Sequence, residues 1–139
     1  MANYAVTVAD IEIKSANTRV RVVQCGEAIT QGQTVYQSSS DQKYYKADSN
    51  DTEAKADVKG IIITKVSSAD GYGVLVEMPA KIDLGGTAAV GETYYQSQTA
   101  GEFCPDGDVA SNDYVTRIGF GEAADTIKLD IDATGIQHA

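Results

Sequence analysis

The chain has 139 residues, 42% of them hydrophobic, and its 20 acidic residues exceed its 11 basic ones to give a net charge of −9. This charge disfavours nucleic acid and anionic lipid as partners, because a phosphate-binding surface requires clustered lysine and arginine. No apolar run reaches the roughly 18 residues of a transmembrane helix, and no basic segment precedes an apolar one at the N-terminus. We therefore expect no nucleic-acid partner, no membrane partner and no secretory signal.

The N-terminal segment is predicted to be extended. Apolar residues alternate over residues 5–14, with a slip in the middle that suits a bulge or a turn. This pattern separates an N-terminal arm, residues 1–18, from a single β domain over residues 19–139. The alternating apolar residues of the arm are Val6, Val8, Ile11 and Ile13.

The rest of the chain reads as short strands separated by turns. Residues 18–23 alternate arginine with valine, which is typical of a half-buried strand, and residues 58–64 are apolar enough for a core strand buried on both faces. Residues 48–57 form either one helical turn or a loop. Further strands are predicted at 34–37, 43–46, 74–78, 93–96, 102–103, 114–120 and 126–131. About ten short strands indicate an all-β fold, either a compact barrel or a sandwich.

One segment of the sequence occurs twice. Residues 26–38 return as residues 85–97, and at this offset of 59 seven of the 35 positions from 26 to 60 are identical. Unrelated sequences would share roughly 6–7% by composition. We infer two pseudo-repeated β modules, at about residues 24–80 and 83–135. The repeated positions singled out as structural are Gly26 with Gly85, Gly32 with Gly91, Tyr36 with Tyr95, and Gly60 with Gly119.

The repeated residues suggest a scaffold. Glycines on either side of a six-residue step allow the chain to reverse with positive φ, which only glycine adopts without steric cost. Tyr36 and Tyr95 follow at matching strand positions, which favours the core or a seam between modules over an external interface. Tyr45 and Tyr72 favour an interface instead, because tyrosine combines an apolar ring with a polar tip. Neither half could close a sheet alone, so we expect one shared core.

The sequence does not favour catalysis or a metal site. Acidic residues gather at 48–53 and 106–113, which indicates solvated loops rather than calcium sites, since neither stretch has the EF-hand spacing. Asp130 and Asp132 share one face of the last strand, as on a solvent-facing surface. The single histidine, His138, lies next to the C-terminus and is poorly placed as a catalytic base. We expect no enzyme activity and no cofactor.

Cys25 and Cys104 leave two alternatives open. They do not correspond under the offset of 59. Two isolated cysteines are most often small buried apolar residues, which is the favoured interpretation, and a disulfide between the two halves is the other. Two cysteines and one terminal histidine cannot supply the four ligands of a zinc site.

The order of the glycine and aromatic motifs resembles one family over about residues 20–135. The chain is similar to the small capsid cement, or head decoration, proteins of tailed bacteriophages. The motifs that carry the resemblance are Cys25-Gly26-Glu27-Ala28-Ile29 with Gly32-Gln33 and Val35-Tyr36, then Tyr45-Lys46-Ala47-Asp48, Val58-Lys59-Gly60-Ile61, Val90-Gly91-Glu92, Tyr94-Tyr95, Ser97, Gly101 and Arg117-Ile118-Gly119-Phe120-Gly121.

The resemblance implies a non-enzymatic virion protein made in the cytoplasm of a host bacterium. Such a protein binds the outer surface of an icosahedral head, as a homotrimer near three-fold positions, and bridges major capsid subunits. Residues 1–18 would then be an arm that adds to the sheet of a capsid neighbour. A receptor- or glycan-binding module of a phage fibre is the alternative, with Tyr44, Tyr45 and Tyr72 stacking on sugars. A small hydrolase with paired aspartates has the least support.

Overall fold

The structure is a computed structural model, and it describes residues 3–139. Within this range the chain is all-β, as predicted, with eleven strands and three short 3-10 turns. The 3-10 turns are Val8–Asp10, Ala54–Ala56 and Asp106–Asp108. The strands are β1 (Ile11–Ile13), β2 (Arg19–Gln24), β3 (Gln33–Gln37), β4 (Tyr44–Lys46), β5 (Gly60–Ile62), β6 (Tyr72–Glu77), β7 (Ala80–Leu84), β8 (Thr93–Gln96), β9 (Phe103–Pro105), β10 (Tyr114–Ala123) and β11 (Thr126–Gln137).

The strands form two curled antiparallel sheets with the same topology. The first sheet has the order β2-β6-β5-β3-β4, and the second has the order β1-β7-β11-β10-β8-β9. Without β1, each strand of one sheet has a counterpart at the same place in the other. Module 1 therefore comprises β2 to β6, and module 2 comprises β7 to β11. The two pseudo-repeated modules expected from the sequence are present, and each one is a half-barrel.

The backbone hydrogen bonds repeat along with the strands. Gly32 and Gly91 both have positive φ, 89° and 83°. Each lies in the turn that precedes a matched strand, β3 for Gly32 and β8 for Gly91. Two bonds of module 1 have counterparts in module 2 at the offset of 59. The matched pairs are Gly32 N–H to Ile62 C=O at 2.7 Å with Gly91 N–H to Gly121 C=O at 2.8 Å, and Ser38 N–H to Lys43 C=O at 2.9 Å with Ser97 N–H to Glu102 C=O at 3.0 Å.

The modules stack against each other, with one buried cluster inside module 1 and a second one, the shared core, between the modules. The inner face of module 1 holds its own buried cluster, to which Val35 and Leu75 belong. The inner face of module 2, with Tyr94 and Phe103, forms a larger cluster that also takes in Ile61 of module 1. Ile61 points away from the inner face of its own module, because side chains alternate along a strand. The outer face of module 1 thus covers the inner face of module 2.

Hydrogen bonds across the seam support this stacking. The Thr34 amide donates to the Gly101 carbonyl at 2.9 Å, and the Gly101 amide donates to the Ala47 carbonyl at 2.8 Å. The fully buried Thr34 hydroxyl donates to the Gln96 side chain, whose amide nitrogen donates in turn to the Ala47 carbonyl at 3.0 Å. The Thr34 and Gln96 side chains, which are buried between the modules, are therefore paired, as most buried polar groups are.

The structure differs from the expected repeat in three details. Strand β7 was not predicted, although it is the counterpart of β2, so the modules span residues 19–77 and 80–137 rather than 24–80 and 83–135. The offset shrinks to 52 between β6 and β11, because a long loop joins β5 to β6 but two residues join β10 to β11. Gly26 has no positive φ. A side chain there would instead overlap the ring of Tyr45.

Candidate interface surface

The N-terminal segment lies along its own domain in the structure. Tyr4 is buried, stacks on Phe103 with ring centroids 5.0 Å apart, and donates its amide to the Phe103 carbonyl at 2.8 Å. Strand β1 extends the second sheet by pairing with β7, with Ile11 opposite Leu84. This differs from a separate arm over residues 1–18, because the tyrosine ring and the strand both pack on module 2. Residues 1 and 2 of the expected arm lie outside the described range.

The four apolar residues of that segment divide into two pairs. Val6 and Ile11 are half-buried and pack against the shared core. Val6 also lies over Gly32, where an added Cβ would come within 2.7 Å of the valine side chain. Val8 and Ile13 are exposed. Val8 and Ile13 are therefore available to a partner, whereas Val6 and Ile11 contribute to the fold and keep only part of each side chain exposed.

The tyrosines also divide between surface and support. Tyr72 is 65% exposed at the start of β6. Tyr45 is half-buried, stacks on Tyr36 with centroids 6.0 Å apart, and donates its hydroxyl to Asp41, which raises the pKa of Tyr45 to about 12. Tyr44 is one of the three tyrosines considered for sugar stacking. It is buried and therefore not accessible to a sugar.

Tyr36 and Tyr95 are half-buried, in place of the core position that the repeat favoured. The residues that enter the core are their immediate neighbours in sequence, Val35 and Tyr94. Because a shift of one residue along a strand moves a side chain to the opposite face, these neighbours enter the core, and Tyr36 shares with Thr34 the face at the seam.

Strand β2 carries an exposed apolar surface that the sequence did not indicate. Val20 is 48% exposed and Val22 is 68% exposed, whereas a half-buried strand was expected. Both valines lie on the outer face of module 1, opposite Val76 and Val74 of β6. Module 2 covers that face over Val76 but does not reach the edge strand. Alternation predicted which residues share a face, but it cannot predict how far another module covers it.

Two arginines lie on the other face of β2. Arg19 and Arg21 both pair with Glu77, the former at 3.4 Å, and Arg21 also donates to the Tyr44 hydroxyl at 2.6 Å. Hydrogen bonding to Glu77 raises the pKa of Arg21 above its ordinary value. Both side chains are at least half exposed. In a chain of net charge −9 they form a local positive site at the edge of the first sheet.

The two aspartates considered on the last strand have a structural partner or face solvent. Asp130 pairs with Arg117 at 3.2 Å, and Asp132 is exposed. His138 is engaged through its backbone, whose amide donates to the Asp113 carbonyl at 2.7 Å. Among residues 3–139 no group of three or more histidine, cysteine or acidic side chains is arranged to hold a metal ion.

Both cysteines are buried free thiols. Of the two alternatives, the structure therefore has the small buried residue rather than the disulfide. Burial raises the pKa of the Cys104 thiol to about 11 and raises that of Cys25 as well.

No family model, curated protein or solved structure matches the chain. In the part of the chain described, no helix is long and apolar enough to cross a membrane.

Proposed function

We propose that the chain is a structural virion protein that binds the outer surface of an icosahedral phage head and bridges major capsid subunits. The observation that carries this proposal is the structural role of the residues in the motifs of the resemblance. Gly32 and Gly91 form turns, and Val35 and Tyr94, which also belong to the motifs of the resemblance, are buried in the core. The residues that carry the family resemblance thus build a scaffold, and the exposed apolar side chains on it are left for contacts.

Exposed apolar side chains support binding to a large protein surface. Within residues 3–139, eight large apolar residues are exposed, of which Val20 and Val22 are neighbours on one face of β2, and contiguous exposed apolar patches commonly mark protein contacts. They are Val8, Ile13, Val20, Val22, Tyr72, Met78, Val90 and Ile136. A cement protein acts by summing many modest contacts, since each copy that touches two capsid subunits must be released before the shell opens.

The proposal includes a non-enzymatic homotrimer, made in the bacterial cytoplasm and located on the outer capsid surface. Neither nucleic acid nor membrane is a partner in it, because the net charge of −9 opposes both. Four apolar residues of the N-terminal segment were expected to contact a partner. The proposal keeps the exposed Val8 and Ile13, because Val6 and Ile11 pack against the shared core.

Co-sedimentation with emptied, expanded heads that lack this protein tests the proposal. We expect the wild-type chain to pellet with heads and to saturate at a fixed number of copies per shell. Replacing Val8 by aspartate should weaken binding, while Val90→Asp, at a valine that is 72% exposed and lies outside the N-terminal segment, shows whether a loss is specific to that segment. A wild-type chain that stays in the supernatant at saturating concentration would contradict capsid binding.

A glycan-binding module of a phage fibre is the alternative, and it relies on Tyr72, the most exposed of the three tyrosines considered for sugar stacking. Specific signals on a glycan array that disappear in Tyr72→Ala, together with no binding to heads, would favour that alternative over the capsid.

A further inference from the structure

The two sheets differ in how their edges are covered. Strand β7 is flanked by β1, whereas its counterpart β2 ends the first sheet. In residues 3–139 no strand pairs with the outer edge of β2 or with the outer edge of β1. Open edges present unpaired amides and carbonyls, which another strand can pair with.

The open edge of β2 carries the apolar surface described above. Val20 and Val22 are exposed on it, and Val74 and Ile63 are half-buried beside them. Edge strands that avoid pairing commonly carry charge on the exposed face or are very short. This one has six residues and presents valines instead, so it suits a partner strand with apolar side chains.

The alternation of backbone hydrogen bonds determines which residues of each edge strand can bond to a partner strand. In an antiparallel pair, alternate residues direct their amide and carbonyl toward the neighbour. The Lys14 amide donates to Lys81 of β7, and the Cys25 amide donates to Gly71 just before β6. Counting back by twos, Glu12 of β1 and Arg21 of β2 also bond inward. The outward-facing backbone groups are those of Ile11, Ile13, Val20, Val22 and Gln24.

One antiparallel register between β1 and β2 pairs the outward-facing backbone groups and also places apolar side chains opposite each other. Ile11 opposite Val22 and Ile13 opposite Val20 exchange backbone bonds and join apolar side chains on one face. Glu12 then lies opposite Arg21 on the other face. The Arg21 guanidinium has five donors, and its bonds to Glu77 and Tyr44 use two of its nitrogens. The register also sets Lys14 near Arg19, but Lys14 pairs with Asp125 at 3.3 Å and Arg19 pairs with Glu77.

We propose that β1 of one copy pairs antiparallel with β2 of the next copy, in the register that sets Glu12 opposite Arg21. The inference rests on the homotrimer in the proposed function and identifies the surfaces that form it. Each copy offers one edge of each kind, so the contact is heterologous, and a rotation of one third of a turn at each contact closes three copies into a ring of identical interfaces. The apolar edge of β2 is thereby covered, as that of β7 is covered within the chain.

Mass in solution measured by light scattering tests this interface. We expect wild-type protein at three times the monomer mass of 14.7 kDa, and Val22→Asp at the monomer mass. Val90→Asp is the matched control, because Val90 is 72% exposed and bridges to Gly121 of β10, a strand inside the second sheet rather than at either edge. Circular dichroism and urea unfolding of each variant confirm that it is folded. A monomeric wild type, or a Val22→Asp variant that keeps the wild-type mass, would overturn the proposal.

A charge exchange tests the register. Glu12→Arg and Arg21→Glu should each lower the mass, because each sets like charges opposite each other, and the double variant should regain it. Single variants that keep the wild-type mass, or a double variant that stays monomeric while folded, would overturn the register. Head binding is read separately by co-sedimentation. Trimers that depend on β2 but do not bind heads would contradict the proposed function and leave this interface intact.

Discussion

The two modules share a strand order but differ in their outer faces. In module 1 this face presents Thr34, Ile61 and Val76, all of which are fully buried against module 2. The counterparts of Ile61 and Val76 in module 2 are Phe120, which is half-buried, and Lys128, which is exposed and lies over the Phe120 ring. The same backbone thus carries apolar residues where another module covers it and a charged residue where solvent does. Position in the stack, rather than the fold of the module, determines these residues.

The shared core should be the most sensitive part of this arrangement. Phe103 is buried and contacts both Tyr4 and Tyr94. Phe103→Ala should lower the free energy of unfolding by about 3–5 kcal/mol, because it removes a large buried ring and leaves a cavity. Urea denaturation measures this loss. Tyr72→Ala, at an exposed ring, should change it by at most about 0.5 kcal/mol. A small loss for Phe103→Ala would show that the stacking is looser than described.

Gly60 and Gly119 test whether the modules are equivalent. A Cβ at Gly60 would overlap the Val76 carbonyl oxygen, and one at Gly119 would overlap the Lys128 carbonyl oxygen. Each alanine variant should lose about 1–3 kcal/mol of unfolding free energy, by similar amounts in the two modules. Gly107→Ala is the control, because a Cβ there meets nothing within 4 Å. Unequal losses at Gly60 and Gly119 would argue against equivalence.

Gly32 and Gly91 should reveal the difference that the N-terminal segment makes. Both have positive φ, so alanine at either site should cost about 1–2 kcal/mol of unfolding free energy. Gly32→Ala should cost more, since its Cβ would also approach Val6, whereas the Cβ of Gly91→Ala meets nothing. Adding Val6→Ala should remove part of the excess in the first case and none in the second. Equal costs at the two glycines would mean that residues 3–14 do not pack over module 1.

A further effect is expected from Cys104, and it appears only at high pH. The pKa of the Cys104 thiol is about 11 in the folded chain, against an ordinary value of 9.0. As pH rises the unfolded thiol loses its proton first, so this stabilisation is complete below pH 9 and is lost between pH 9 and 11. The decline of the urea midpoint over that range should be less steep in Cys104→Ala than in wild type. An unchanged slope would indicate an accessible thiol.

The sequence predicted much of the fold, and its failures have two causes. The repeat at an offset of 59 fixed the matching turns at Gly32 and Gly91, and alternation located most of the strands. Strand β7 was missed because the identities that reveal the repeat begin only at Gly26, after its counterpart β2. The exposure of Val20 and Val22 and the burial of Tyr4 depend on how one module covers another. Local pattern contains no information about that coverage.

The most direct test of the stacked pair of modules is the measurement of NMR couplings across backbone hydrogen bonds. We predict couplings from the Gly32 amide to the Ile62 carbonyl and from the Gly91 amide to the Gly121 carbonyl, which report the repeat. We also predict one from the Thr34 amide to the Gly101 carbonyl, which reports the seam. Detection of only one of the first two, or no coupling between Thr34 and Gly101 while both amides resist exchange, would contradict the account.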